Sequence, residues 1–583
     1  VSQSGSVAPP PTASAEAAGP SRWIISAGWD IVLFIGTPAL ILPLMWLSRQ
    51  RFSDQTIYAL VTAFGATGHH LPGMMRAYGD RALFRRFRLR FTLVPALLLA
   101  VSLPLLFTEL RQGMMVVLLF WGFWHGLMQV YGFVRIYDAK VGQHDARTAT
   151  LDWWLCFAWF GAGLVNSDGR MFQILEVFYQ TGGPVIPANW FGGFRTAWNA
   201  LTLLITLGFL GHLVGGLSRN RPANPVKLAT LALSIAYWWF AMVMIDNIVI
   251  GLALFEIFHD VQYLAIVWVF NQKRVDSDPD VGSFSQFLFR RSWAMLGLYV
   301  GLVLGYGFLG NLQAQTDIKP LQNTLVALVW TSTLLHFYLD GFVWKVRERG
   351  TQKGLGIDDP QGTDDSRPLT EGMIHAMKWI PFVGAVLLLT ASQWWQRGVH
   401  ATPEERDRLE TLRYERLVQA VPTYDHAHLT LGTRRAAAGD FAAARRSFTF
   451  ALKFSHDNNA AAHYNLGLVL AGQKEFAPAI EHYKKSLSLD PRSVESHFAL
   501  AAALQSQSQT VDAEKHFLAA LEFNPDFAAA HLGLGGLYRS TGQFQQAEQR
   551  LLRAIELLEG TPGDGRDLRA ARDQLRLVRD ASR

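Results

Sequence analysis

Glu256, His259, Asp260 and Tyr263 stand at i, i+3, i+4 and i+7 in the stretch FEIFHDVQY, which puts all four on one face of a helix. The stretch lies inside an apolar run from about 248 to 270. A carboxyl group at mid-bilayer is costly unless something compensates it, so this face reads as the floor of a buried polar site. Glu-x-x-His is also the spacing by which di-iron carboxylate bundles hold metal. Glu256 and Asp260 are the acids expected to act in catalysis.

Other apolar runs offer companions. WHGLMQVYG sets His125 and Gln129 at i, i+4, with Gly122 and Gly126 permitting close helix approach. HFYLDG sets His336 and Asp340 at i, i+4, and GHHLPGMM pairs His69 with His70 ahead of Pro72, which frees a carbonyl nearby. No lysine or arginine is expected in the interior of these runs, with Lys227 counted as a loop cation. The buried acids must then be protonated, paired with imidazolium, or neutralised by a dication. Imidazoles with carboxylates suit iron, manganese or zinc. The expected metal ligands are His70, His125, His259, His336, Glu256 and Asp340, and the expected cofactor is a divalent metal, iron first.

Ordinary roles compete at several of these positions. His212 reads as a helix-to-helix hydrogen bonder. His69 and His70 could mark an interfacial helix end, and Asp340 could reach the interface beside Lys345. Tyr263, Tyr131 and Trp121 read as packing or belt aromatics, and Asp30 as a cap of the first span.

The elements that must position these groups are eleven apolar runs, at about 28–47, 56–75, 91–108, 113–134, 151–165, 196–217, 226–245, 247–270, 293–312, 321–343 and 374–396. Each approaches the ~20 residues a spanning helix needs, the fifth being short. Basic loops follow the even-numbered runs, as with Arg81, Arg85, Arg86, Arg88 and Arg90 after the second. The positive-inside rule then sets the N-terminus in the cytoplasm and the C-terminal half outside an inner (plasma) membrane. On that topology His70, His125, His259 and His336 all fall roughly 9 to 21 Å from the inner basic flank, at ~1.5 Å per residue.

The 583-residue chain is 50% hydrophobic with a formal net charge of +6. Its cations cluster beside apolar runs, which points to membrane topology and away from nucleic acid. The single cysteine, Cys156, excludes an internal disulfide. Residues 1–22, rich in Ala, Pro, Ser and Gly, read as a disordered tail, followed by a transmembrane helical domain over 23–398.

Beyond Pro403 the pattern becomes repetitive. AHYNLGLVLAGQKEFAPAIEHYKKSLSLDP starts at Ala462, SHFALAAALQSQSQTVDAEKHFLAALEFNP at Ser496, and AHLGLGGLYRSTGQFQQAEQRLLRAIEL at Ala530, with a looser copy at Ala427. The 34-residue step and the small residues at fixed places closely resemble the tetratricopeptide repeat family. The resemblance implies helix pairs stacked into a superhelix whose concave face takes a protein or peptide partner. The repeats span 425–583 with a C-terminal cap, after a linker and capping helix over 399–424. The fold class is therefore all-α: a polytopic transmembrane helical bundle of about 11 spans followed by a tetratricopeptide-repeat α-solenoid.

Three functions fit. The first is an integral-membrane metal-dependent enzyme of the non-haem iron oxidoreductase kind, acting on a lipid or other apolar substrate. Membrane fatty-acid desaturases and hydroxylases are similar in placing a His-rich iron site toward the cytoplasm. Their His-x-x-x-His and His-x-x-His-His motifs are absent here. The membrane half also resembles bacterial polytopic membrane proteins with similar His-centred stretches, a likeness that names no reaction. The second is a non-catalytic membrane-anchored scaffold. The third is a membrane glycosyltransferase using a polyprenyl-linked sugar, whose layout is similar but whose first outer loop, SRQRFSDQ, offers only Asp54.

Overall fold

The structure is a computed structural model. It describes residues 22–582 apart from 109, 182, 184–185, 221, 246, 276–280, 313–315, 317, 344–350, 353–354, 356, 358–367, 400–401 and 560–564. The expected N-terminal tail and most of the acidic loop near 354–372 lie outside the described residues. The chain divides into two compact units, residues 1–184 with 190–400, and 401–583 with 185–189. Among the described residues every regular element is helical, and the one β-bridge joins Asp80 to Val281.

The helices of the first unit that bear on the site are α1 (Asp54–Val61), α2 (His70–Gly79), α3 (Arg81–Phe107), α4 (Gln112–Lys140), α5 (Ala146–Val165), α6 (Pro225–Trp239), α7 (Ile248–Val275) and α8 (Lys319–Val343). Their starts follow from sequence. Ser53, Asp80 and Asp145 turn their side chains onto the backbone N–H of Thr56, Leu83 and Thr148, and Asn224 caps α6 ahead of Pro225 at its first position.

Among the described residues six helices are long and apolar enough to cross a membrane: Arg81–Phe107, Gln112–Lys140, Asn189–Ser218, Pro225–Met244, Ile248–Val275 and Trp293–Asn311. A pair bent by 50°, Ala27–Ile35 and Thr37–Arg49, would make seven. The run expected over 56–75 is broken instead. It consists of α1, a π-helical turn over Thr62–Thr67, and α2. Pro72 cannot donate to Gly68 O, and that carbonyl accepts from Leu71 N at 3.2 Å.

Two features settle local questions. Asp30 is fully buried, and its carboxylate accepts from the backbone N–H of Ile24, Ile25 and Ser26 and from Tyr137 Oη at 3.0 Å. It therefore fixes the turn before the first helix to α4. Gly126 admits Phe255, since a Cβ there would come within 2.5 Å of the ring, whereas Gly122 faces open space.

The second unit is four helix pairs between a leading helix, Pro403–Ala420, and a closing one, Gly565–Ala581. The first helices are Asp425–Ala437, Ala460–Gly472, Val494–Ser506 and Ala528–Ser540; the second are Phe441–Phe454, Phe476–Leu489, Thr510–Phe523 and Phe544–Leu558. In three of the four pairs one side chain needs a glycine opposite it: a Cβ on Gly432, Gly467 or Gly535 would strike Phe448, Tyr483 or Leu551. The turn inside each pair passes through a left-handed residue at matching places, Gly439, Lys474, Ser508 and Gly542.

Candidate metal centre

The π-helical turn Thr62–Thr67 delivers His69 and His70 to the interior. His69 Nδ1 lies 3.1 Å from Gly65 O and 2.8 Å from Asp260 Oδ1 on α7. The approach to Asp260 is an ion-pair distance without hydrogen-bond alignment, because neither carboxylate oxygen of Asp260 has a hydrogen-bond partner. Gly65 O is thus the hydrogen-bond acceptor, and Asp260 adds electrostatic attraction. A carbonyl only accepts, so Nδ1 carries the proton and Nε2 presents a lone pair. That Nε2 is buried and unpartnered. Gly65 is needed for this approach, since a Cβ there would run into Asp260 Oδ2.

Imidazoles from three further helices surround His69. Its ring centroid lies 4.6 Å from that of His336, 5.1 Å from His259 and 6.3 Å from His125. His125 is itself 4.9 Å from His259 and 4.7 Å from His336. His336 Nε2 approaches His125 Nε2 at 3.1 Å. One donor atom each from His69, His125 and His336 lie within 4.8 Å of one another, and so do donors from His69, His259 and Asp260. His259 Nε2 and His336 Nδ1 are, like His69 Nε2, buried with no hydrogen-bond partner. A buried ring nitrogen without a partner is costly.

The remaining acids and amides frame this group. Asp340 Oδ2 sits 3.8 Å from His125 Nδ1 and 3.7 Å from His336 Nε2, while Oδ1 accepts from Tyr263 Oη at 2.9 Å. Gly73 keeps the space beside them open: a Cβ there would lie 2.8 Å from Tyr263 Oη and 3.3 Å from His336 Nδ1. Gln129 donates to His259 O at 2.9 Å and to Gln262 Oε1 at 3.2 Å, so it braces α4 against the α7 backbone.

Of the residues singled out from sequence, His125, His259, His336 and Asp260 converge in these two groupings. His70 turns aside: its Nδ1 pairs with Ser332 Oγ at 2.9 Å, which in turn meets Tyr306 Oη at 2.7 Å. His69 takes the inward place expected of His70. Glu256 is half-buried and belongs to neither grouping, and Asp340 lies beside them through its pairs with the two histidines. His212 Nε2 bonds Thr148 Oγ1 at 2.9 Å, as a helix-to-helix hydrogen bonder should. Asp54 accepts from Arg49 and from Asn247.

A second polar cluster escaped the sequence reading. Lys227, expected in a loop, has a fully buried side chain whose Nζ lies 2.8 Å from Asp138 and 2.7 Å from Asp152. Arg135 joins at 2.7 Å from Asp138 and 3.6 Å from Asp152. Two cations and two anions cancel there, so the quartet ties α4, α5 and α6 together and is not a free charge awaiting a ligand.

Comparison with known proteins bears on the second unit. Tetratricopeptide repeat family models match residues 460–493, 482–515 and 504–571, so the C-terminal part carries tetratricopeptide repeats. A similar curated protein is the tetratricopeptide repeat-containing protein trd-1 of Caenorhabditis elegans, 30% identical over 175 residues. That alignment covers 26% of this chain, and the chain spans only 22% of the relative's length. Among solved structures, MamA from Desulfovibrio magneticus RS-1 is 18% identical, covering 27% of this chain and 88% of that one, with a TM-score of 0.25. YrrB, titled a TPR protein with an unusual peptide-binding site, is 20% identical, covering 29% of this chain and 84% of that one, with a TM-score of 0.25.

Proposed function

We propose that the first unit is a membrane-embedded, metal-dependent enzyme whose ion is held by His69, His125, His259 and His336. Asp260 stands behind His69 as a positioning residue, a carboxylate–imidazole–metal arrangement. One observation carries the reading: imidazoles from four separate segments meet with three ring nitrogens buried and unpartnered. A shared dication would use the lone pairs of His69 Nε2 and His259 Nε2, with the facing Nε2 atoms of His125 and His336 completing the set, and would offset the negative charge of Asp260 and Asp340. Mixed imidazole and carboxylate surroundings suit iron. Such an ion would activate oxygen or a bound water.

The membrane setting is supported by the apolar surface the unit leaves uncovered. Leu89 is 71% exposed, Leu204 67%, Trp293 81% and Leu388 72%, on helices that would meet acyl chains. In this reading the apolar runs, up to the eleven read from sequence, span an inner membrane with the N-terminus cytoplasmic and the repeats on the far side. A lipid or other apolar substrate would reach the ion past His125 and Asp340, whose side chains are the more open ones of the cluster, at 12% and 16%. Tyr263 holds Asp340 in place through its hydroxyl. The repeats would hold a protein or peptide partner on their concave face.

Metal analysis of the detergent-purified full chain tests this. The expected result is about one ion per chain, lost in H125A/H336A while the repeats stay folded. A folded wild-type protein that neither carries nor takes up iron, manganese or zinc would leave the anchored scaffold as the reading.

A further inference from the structure

The repeats contain a histidine pattern that the first unit's site does not involve. The first helix of every repeat bears a histidine tethered through Nε2 to a carbonyl six residues earlier. His428 reaches Pro422 O at 2.8 Å, His463 Asp457 O at 3.2 Å, His497 Pro491 O at 3.2 Å, and His531 Pro525 O at 2.9 Å. A carbonyl can only accept, so each Nε2 carries its proton and each Nδ1 is left with a lone pair. Backbone carbonyls orient metal-ligating histidines in the same way.

In the two central repeats a second imidazole comes to meet that lone pair. His463 Nδ1 lies 3.0 Å from His482 Nδ1, and His497 Nδ1 lies 3.0 Å from His516 Nδ1. The corresponding places in the outer repeats hold Ser447 and Arg550. The tether is therefore common to all four repeats, while the second ring occurs in two adjacent ones and is not required by the fold.

We infer that His463 with His482, and His497 with His516, form two bidentate sites for a divalent late-transition cation, Cu²⁺ or Ni²⁺. Two nitrogens 3.0 Å apart, each ~2.05 Å from one ion, subtend about 95° at it. That is a cis angle of a square-planar or tetragonal ion, narrower than the tetrahedral angle zinc prefers. The nearby lysine charge beside the first pair is answered, since Lys485 Nζ sits 2.8 Å from Asp457. His463 is buried and the other three rings are partly exposed, so each pair has an open side. The inference stands independently of the site proposed for the first unit.

Cu²⁺ and Ni²⁺ titrated into the chelator-treated full chain provide the test, comparing wild type with H482N, H516N and H482N/H516N. Each single change is expected to remove one bound ion per chain, and the double change two. Cu²⁺ bound to wild type should show nitrogen hyperfine structure from two imidazoles. H125A/H336A should leave these two ions in place, which separates them from any ion of the first unit. Asparagine at either position should be tolerated, because the outer repeats fold without a second ring. Equal ion counts in wild type and H482N/H516N would overturn the inference and leave both pairs as imidazole–imidazole hydrogen bonds.

Discussion

His125 Nε2 and His336 Nε2 lie 3.1 Å apart although 211 residues separate them in the chain. Two such atoms can approach so closely only with a proton or a cation between their lone pairs. His336 already has its other nitrogen buried without a partner, so a proton on Nε2 would leave Nδ1 as a costly orphan acceptor. An ion in the proposed site would take the place of that proton between the two Nε2 atoms, with the hydrogen of His336 moved to Nδ1.

The structure separates the adjacent histidines that sequence left ambiguous. His69 Nε2 is free and central, whereas His70 Nδ1 is committed to Ser332. H69A should lower bound metal by more than about tenfold, and H70Q should keep wild-type metal content. Elemental analysis of the purified variants distinguishes them; equal loss in both would place His70 among the ligands after all.

Much of this is legible in the sequence. The i, i+3, i+4 register of α7 fixed His259 and Asp260 on one face, and depth below the basic flank linked His125 and His336 to them. The repeats were visible down to their step because each turn and each small residue recurs. The pairing of His69 over His70 was not legible, since the π-helical turn rotates both by an amount no α-helical wheel gives. Lys227 was hidden for a related reason. Its neighbours Asn224 and Pro225 look like loop, and Asp152 sits at the edge of an apolar run, so the ion quartet needs tertiary packing to exist.

Gly65 should be intolerant of any side chain. Its Cβ position is occupied by the Asp260 carboxylate, so G65A must push α7 away from the π turn. The expected cost is ~1–3 kcal/mol of stability together with lost metal. G122A is the matched control, because nothing lies within 4 Å of that Cβ position. Thermal unfolding of both variants in one detergent is the measurement, and comparable melting points would refute the packing argument.

The buried quartet predicts a strong single effect and a weak double one. K227M leaves Asp138 and Asp152 sharing Arg135 alone and should cost ~3–5 kcal/mol. K227M/D152L restores one cation to one anion, Arg135 to Asp138 at 2.7 Å, and should recover most of that loss. Chemical unfolding of wild type, K227M, D152L and K227M/D152L gives the coupling energy. A K227M protein as stable as wild type would mean that the cluster is not buried from water.

The repeats should lose stability in mild acid. Burial holds the imidazoles of His428, His463, His482, His516 and His531 below the usual histidine range. A depressed folded-state pKa means that the unfolded chain binds protons first as pH falls. Stability is therefore full above about pH 6.5, the unfolded value, and declines below it toward the folded pKa values. Asp457 acts in the same direction but lower, since its bond to Lys485 holds it below the usual carboxylate range, and that contribution fades only near pH 4 and under. Hydrogen exchange over residues 460–523 of the full chain, corrected for intrinsic rates, should show protection falling between pH 7.5 and 5.5. H482N/H516N should flatten that fall, because two of the reluctant imidazoles are gone; an unchanged slope in the variant would assign the acid response to groups other than these rings.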